Sequence, residues 1–199
     1  MPASPETWRC FVAVPAPAEL RATLAATVAA WRAEPDVPNL RWTDPDGWHL
    51  TVAFLGPIDP GSVPSIRERI VLAVQPFAAV TPISVRTGRV GAFPRPSAAQ
   101  SVWLGFEDRD RQLADLARAV QDALLPREAI RRLRAHLTLG RSRARRGEPL
   151  DAWLATRRFP PTELVVDDVV LFRSHLGRGP ATYTELARLA LGGAGSNRG

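Results

Sequence analysis

The sequence predicts an α+β protein of two related lobes, each a small, mostly antiparallel sheet with helices outside. Two observations carry this expectation. Strand and helix patterns interleave twice along the 199 residues, an arrangement that needs sheets backed by helices. The frame His49-Leu50-Thr51-Val52 also returns as His136-Leu137-Thr138-Leu139. With twelve threonines in 199 residues, a Thr two places after a given His arises by chance about once in 16. Two of the three histidines sit in that frame. In a strand, residues i and i+2 share a face, so each imidazole and hydroxyl project together while Leu50, Val52, Leu137 and Leu139 face a core. Beyond these frames the halves are not visibly similar.

The elements follow in order. Residues 8–14 form a short buried strand ended by Pro15 and Pro17. Residues 19–31 place Leu20, Leu24, Thr27, Val28 and Trp31 on one helical stripe. A short strand is expected at 39–42. The Pro45-Asp46-Gly47 turn leads into a strand at 48–55 that Gly56-Pro57 stops. Residues 63–74 make a second helix, with Pro64 tolerated in its first turn. Strands at 83–90 and 101–106 flank a loop at 91–99. The clearest helix is 109–125, with Leu113, Leu116, Ala117, Val120 and Leu124 on one face. The second His-Thr strand, 135–140, comes next. A short helix at 148–156 precedes a strand at 164–174, interrupted by Asp167-Asp168 and paired with 182–186 across residues 177–180. One domain is expected over 7–191, with a disordered tail at 192–199 that has nothing to bury.

Composition narrows the chemistry. All 26 basic residues are arginine, which excludes a lysine Schiff base, a lysyl-adenylate ligase and a Walker-type phosphate loop. Cys10 is the single cysteine, so no intramolecular disulfide forms, in keeping with a reducing cytosol. No basic leader precedes Trp8, and no apolar run approaches the roughly 20 residues of a membrane span. A soluble cytoplasmic protein without a membrane partner is expected. Residues 127–146 hold eight arginines against Glu128, a local net of 8 − 1 = +7, while the rest carries 18 − 19 = −1. Such a cluster beside His136 points to an anionic substrate such as a phosphodiester.

Two histidines across a cleft can hold different protonation states. One imidazole deprotonates an attacking water while the opposite imidazolium protonates the departing alkoxide of a phosphodiester. Each threonine hydroxyl can donate to a non-bridging oxygen. These four groups suffice without a metal or cofactor. The chain offers no His-x-x-x-His or Cys-x-x-Cys for zinc, and adjacent Asp167 and Asp168 face opposite sides of a strand. No Gly-x-Ser-x-Gly supports a serine hydrolase. His175 lacks a following Thr and reads as a loop surface residue, while Trp42, Trp48 and Phe54 read mainly as core.

The chain resembles the 2H phosphoesterase superfamily, and within it the RNA 2′,3′-cyclic phosphodiesterase, or 2′-5′ RNA ligase-like, family. The resemblance runs from Arg9 to Leu191. It rests on Arg9-Cys10-Phe11-Val12-Ala13-Val14, on Leu40-Arg41-Trp42, and on Trp48-His49-Leu50-Thr51-Val52-Ala53-Phe54-Leu55-Gly56. Further cues are Gly91-Ala92-Phe93-Pro94, His136-Leu137-Thr138-Leu139-Gly140-Arg141, and Leu171-Phe172-Arg173-Ser174 running to Gly179-Pro180 and Tyr183. The resemblance implies a bilobal fold with the catalytic cleft between pseudo-symmetric lobes. It implies metal-independent opening of an RNA 2′,3′-cyclic phosphate to a 2′-phosphate. It makes His49 the proton donor and His136 the proton acceptor, with Thr51, Thr138 and Arg141 holding substrate. Two departures stand out. Ala53 replaces a basic residue found in many relatives, and residues 125–134 are richer in arginine.

Expected partners are RNA 3′ ends bearing a cyclic phosphate, or small cyclic nucleotides. No obligate protein partner is evident, and a monomer is expected. The same groups would also serve a 2′-5′ RNA ligase or a small cyclic-nucleotide phosphodiesterase. A non-catalytic RNA-binding protein on a 2H fold is the alternative from another class.

Overall fold

The computed structural model describes residues 6–78, 82–175, 177 and 181–191. The tail expected at 192–199 lies outside the described residues, as does most of the turn at 177–180. Nine strands and four helices follow one another as β1 (Trp8–Pro15), α1 (Ala18–Arg32), β2 (Leu40–Trp42), β3 (His49–Ile58) and α2 (Val63–Val74). Then come β4 (Ser84–Phe93), β5 (Ser101–Glu107), α3 (Gln112–Leu124), β6 (His136–Ser142), α4 (Asp151–Ala155), β7 (Glu163–Val165), β8 (Asp168–His175) and β9 (Thr182–Ala190).

The strands run in the order β7-β4-β5-β6-β3-β1-β8-β9, with β2 beside β6. Every strand pairing is antiparallel. Read outward from the centre, β6-β5-β4-β7 and β3-β1-β8-β9 are two four-strand halves, each with its His-Thr strand innermost. The halves join edge to edge through one aligned pair, Leu50 opposite Leu137. The α+β expectation of two related, mostly antiparallel lobes therefore holds, with the lobes fused into one sheet.

One face of the sheet carries the main core. Leu20, Leu24, Val28 and Trp31 of α1, Ile66, Ile70 and Val74 of α2, and Leu113, Leu116 and Val120 of α3 are all buried. They form one cluster with Leu50, Val52, Leu137 and Leu139. The helical stripes read from the sequence at 19–31 and 109–125 are thus stripes that bury. The opposite face of β1 and β8 carries a small aromatic cluster, Phe11 and Phe172 with Ala13, Val170 and Tyr183. Alternation along β1 separates the two clusters, since Cys10, Val12 and Val14 go to one and Phe11 and Ala13 to the other.

Several elements depart from expectation for identifiable reasons. Gly56-Pro57 does not stop β3, which continues to Ile58. Gly56 takes a left-handed φ of 73°, and the register steps from Cys10 opposite Gly56 to Phe11 opposite Phe54. Leu55 is the extra residue of a bulge, which glycine accommodates without a Cβ clash. A second irregularity lies between Val12 and Ala13, so Val52 and Ala53 are both buried and Phe54, expected in the core, is 67% exposed.

The loop expected at 91–99 is shorter, because β4 runs to Phe93. Gly91 sits opposite Trp103, and a Cβ there would lie 2.5 Å from the indole Cζ2. Gly91→Ala is expected to cost about 1–3 kcal/mol by overpacking. The check is a lower urea midpoint at unchanged m.

Helix α3 starts at Gln112, because Arg111 takes a left-handed φ of 60° and the Asp108 carboxylate accepts from the Leu113 and Ala114 amides at 3.3 and 2.8 Å. The interrupted strand expected at 164–174 is two strands of different half-sheets: β7 pairs β4, and β8 pairs β1. Asp167-Asp168 marks that change of half. The pairing of 182–186 with the preceding strand holds and extends to Ala190.

Candidate active site

The seam between halves sets the site. With Leu50 opposite Leu137 and pointing into the core, the neighbouring residues project from the other face. Antiparallel pairing then directs His49 toward Thr138 and Thr51 toward His136. All four side chains are half-buried. They line one cavity of about 640 Å³ together with Arg141 and Tyr183. All five sequence-predicted site residues therefore come together in a single pocket. Arg9 and Arg41 add two more guanidinium groups to its wall, and among the described residues no Asp or Glu lines it. Such a wall favours an anionic occupant.

The imidazoles are held alike in both halves. His49 Nδ1 lies 2.7 Å from the Gly47 carbonyl oxygen, and His136 Nδ1 lies 2.6 Å from that of Arg134, in each case two residues upstream. A carbonyl only accepts, so each Nδ1 carries the proton and each Nε2 remains for chemistry. Aromatic rings fix the planes. His49 packs on Phe11 at 4.8 Å and edge-on to Tyr183 at 5.1 Å, with Phe172 at 6.2 Å. His136 packs edge-on to Phe93 at 5.0 Å and to Trp103 at 6.3 Å. These supports come from other strands of the same half.

The surroundings favour the neutral rings. Burial is the largest cause of the fall of the His49 pKa to about 4; the Gly47 carbonyl opposes it, and the charges of His136 and Arg141 lower it further. Burial also lowers the His136 pKa below 6.5, opposed by the Arg134 carbonyl and reinforced by Arg141 and Arg134. Without an anion, both rings are uncharged at neutral pH. Cys10 is also in the cavity wall, but burial raises its thiol pKa against the pull of Arg173, so it is a poor nucleophile.

Other candidates fall elsewhere. His175 is not in a loop but ends β8, exposed, with its Nε2 2.9 Å from the Thr184 hydroxyl. Trp48 is in the core, Trp42 is half-buried, and Phe54 lines the cavity instead of the core. Asp168 pairs with Arg188 at 2.6 Å. Sequence reasoning gave no role to Phe11, Phe93, Tyr183 or Arg41, though each stood within a quoted motif. It missed the Trp103 support altogether.

A family model described as the 2′-5′ RNA ligase superfamily matches residues 20–178. A protein of Archaeoglobus fulgidus named RNA 2′,3′-cyclic phosphodiesterase is 31% identical over 119 residues, covering 58% of this chain and 63% of the relative. One of the same name from Geobacillus stearothermophilus is 27% identical over 193 residues, covering 94% and 59%. The chain thus spans about three fifths of the length of these curated relatives. Among solved structures, E. coli LigT complexed with NADP+ superposes with a TM-score of 0.64 at 25% identity, covering 93% of this chain and 98% of that one. TT0787 of Thermus thermophilus gives 0.65 at 27%, covering 92% and 97%. With its duplicated His-Leu-Thr frame brought into one pocket, the chain belongs to the 2′-5′ RNA ligase superfamily, among the 2H phosphoesterases.

Proposed function

We propose that this protein hydrolyses 2′,3′-cyclic phosphodiester ends of RNA to 2′-phosphomonoesters by two-histidine acid–base catalysis. The observation that carries the reading is the pair of imidazoles, each with Nε2 left free by a backbone-anchored Nδ1, in a cavity lined by three arginines and, among the described residues, by no carboxylate. The cyclic phosphate anion sits between the rings. Its charge offsets the burial that keeps them neutral, so one imidazole takes up a proton on binding. His136 accepts a proton from the attacking water. His49 donates to the departing 3′-oxygen, leaving phosphate on the 2′-oxygen. Thr51 and Thr138 donate to the non-bridging oxygens, and Arg141 balances their charge. Product analysis on a defined cyclic-ended oligonucleotide tests this: a 2′-phosphate is expected, and a 3′-phosphate would overturn the assignment.

The pH dependence follows from the lowered pKa values. One ring must be protonated and the other neutral, so kcat/KM is expected to be bell-shaped. Burial lowers both pKa values, that of His49 to about 4, so both limbs lie below the usual imidazole range, and activity falls as pH rises past the upper one, where both rings are neutral. Bound phosphate raises both values, so the kcat profile moves to higher pH. A monotonic profile would count against paired roles.

Full turnover in excess chelator is also expected, because the two imidazoles supply both proton transfers. Loss of activity that zinc or magnesium restores would overturn the metal-free route.

A further inference from the structure

A second cavity of about 630 Å³ adjoins the first and shares Thr51, Phe54 and His136 with it. Its far wall is the arginine-rich segment that brackets the second motif, with Arg131, Arg132 and Arg134 facing the space. Among the described residues, none of these three forms an ion pair with a carboxylate. The segment is held in place. Gln121 of α3, 5% exposed, donates to the Val52 carbonyl at 2.8 Å and accepts from the Arg131 amide at 2.8 Å. One buried amide thus ties the arginine wall to the strand that carries Thr51. Arg134 lies over the Phe93 ring at 5.7 Å, and that ring also supports His136. The near wall offers the exposed ring of Phe54.

We infer that this second cavity binds the nucleotide on the 5′ side of the cyclic end, resting on the function proposed above. The terminal nucleoside has one phosphate of its own, and the two histidines occupy it. A further set of guanidinium groups next to His136, without a carboxylate partner among the described residues, therefore serves the next anion along the chain, the 5′ phosphodiester of the terminal nucleotide. Arg132 grips that phosphate together with the Arg131 guanidinium nitrogens that are not donating to the Glu128 and Ile130 carbonyls, and the penultimate base stacks on Phe54. The enzyme is then selective for chain ends over free cyclic mononucleotides.

Three substrates test this: uridine 2′,3′-cyclic phosphate, its 5′-phosphorylated form, and a dinucleotide ending in the same cyclic uridine. The 5′ phosphate alone is expected to raise kcat/KM about tenfold or more, the worth of a charge-assisted contact. The added contact also steepens the log–log salt dependence by about 0.7. Arg131→Ala with Arg132→Ala is expected to bring the ratio of phosphorylated to unphosphorylated turnover close to one. Phe54→Ala lowers the further advantage of the dinucleotide. Equal kcat/KM with and without the 5′ phosphate, both substrates being hydrolysed, would sink this subsite while leaving the cyclic phosphodiesterase reading intact. A ratio that survives the double substitution would do the same. No turnover of any of the three would overturn the parent reading and the subsite with it.

Discussion

His49→Asn and His136→Asn are each expected to lower kcat by about 10²–10⁴-fold, the usual worth of a positioned acid or base. Asparagine separates anchoring from catalysis. Its side-chain amide nitrogen falls near the place of Nδ1, so the bonds to the Gly47 and Arg134 carbonyls, at 2.7 and 2.6 Å in the parent, can persist while Nε2 is lost. Thermal unfolding is therefore expected to change little. Glutamine is the complementary control, since its amide reaches the Nε2 position but cannot exchange a proton at neutral pH. If either Gln variant kept most of the turnover, the imidazole there would only hold the phosphate. The two roles also separate chemically. A cyclic substrate whose departing atom is sulfur needs little protonation, so it is expected to rescue His49→Asn and not His136→Asn. Rescue of the opposite variant would exchange the acid and the base.

The largest stability effect away from the histidines is expected at Gln121. Gln121→Leu keeps the volume but leaves the Val52 carbonyl and the Arg131 amide without their partner. An unmade buried bond costs about 1–3 kcal/mol, and since the Val52 bond is buried and the Arg131 bond partly so, a loss of about 2–4 kcal/mol is expected on chemical denaturation. The Arg131 amide is also expected to exchange its hydrogen faster. Unchanged stability and exchange would mean that the segment is held by other contacts.

Much of this molecule could be read before folding. The His-x-Thr frames carry their own geometry, because strand alternation alone puts His49 with Thr51 and His136 with Thr138 while sending Leu50 and Leu137 inward. The stripes on α1 and α3 were legible for the same local reason. What was not legible depends on partners remote in sequence. Phe54 reads as core until the register shifts against β1 turn it outward. Gly91 reads as a loop residue until Trp103 is seen filling the place of its side chain. Residues 164–174 read as one strand because the sequence gives no sign that β7 and β8 join opposite halves. The aromatic supports were visible only as motif fragments, since Phe11 and Tyr183 meet His49 from strands over 100 residues apart in the sequence.

That separation bears on how the protein comes into being. Strand β8 docks on β1, and the hairpin of β8 and β9 delivers Phe172 and Tyr183 to the His49 ring. A nascent chain that has already left the ribosome past Leu139 holds both histidines and both threonines, yet of the three rings around the first imidazole it has only Phe11. Competence for turnover is therefore expected to arrive with the β8–β9 hairpin. Chains cut between residues 142 and 167 would carry every reacting group and are expected to be idle.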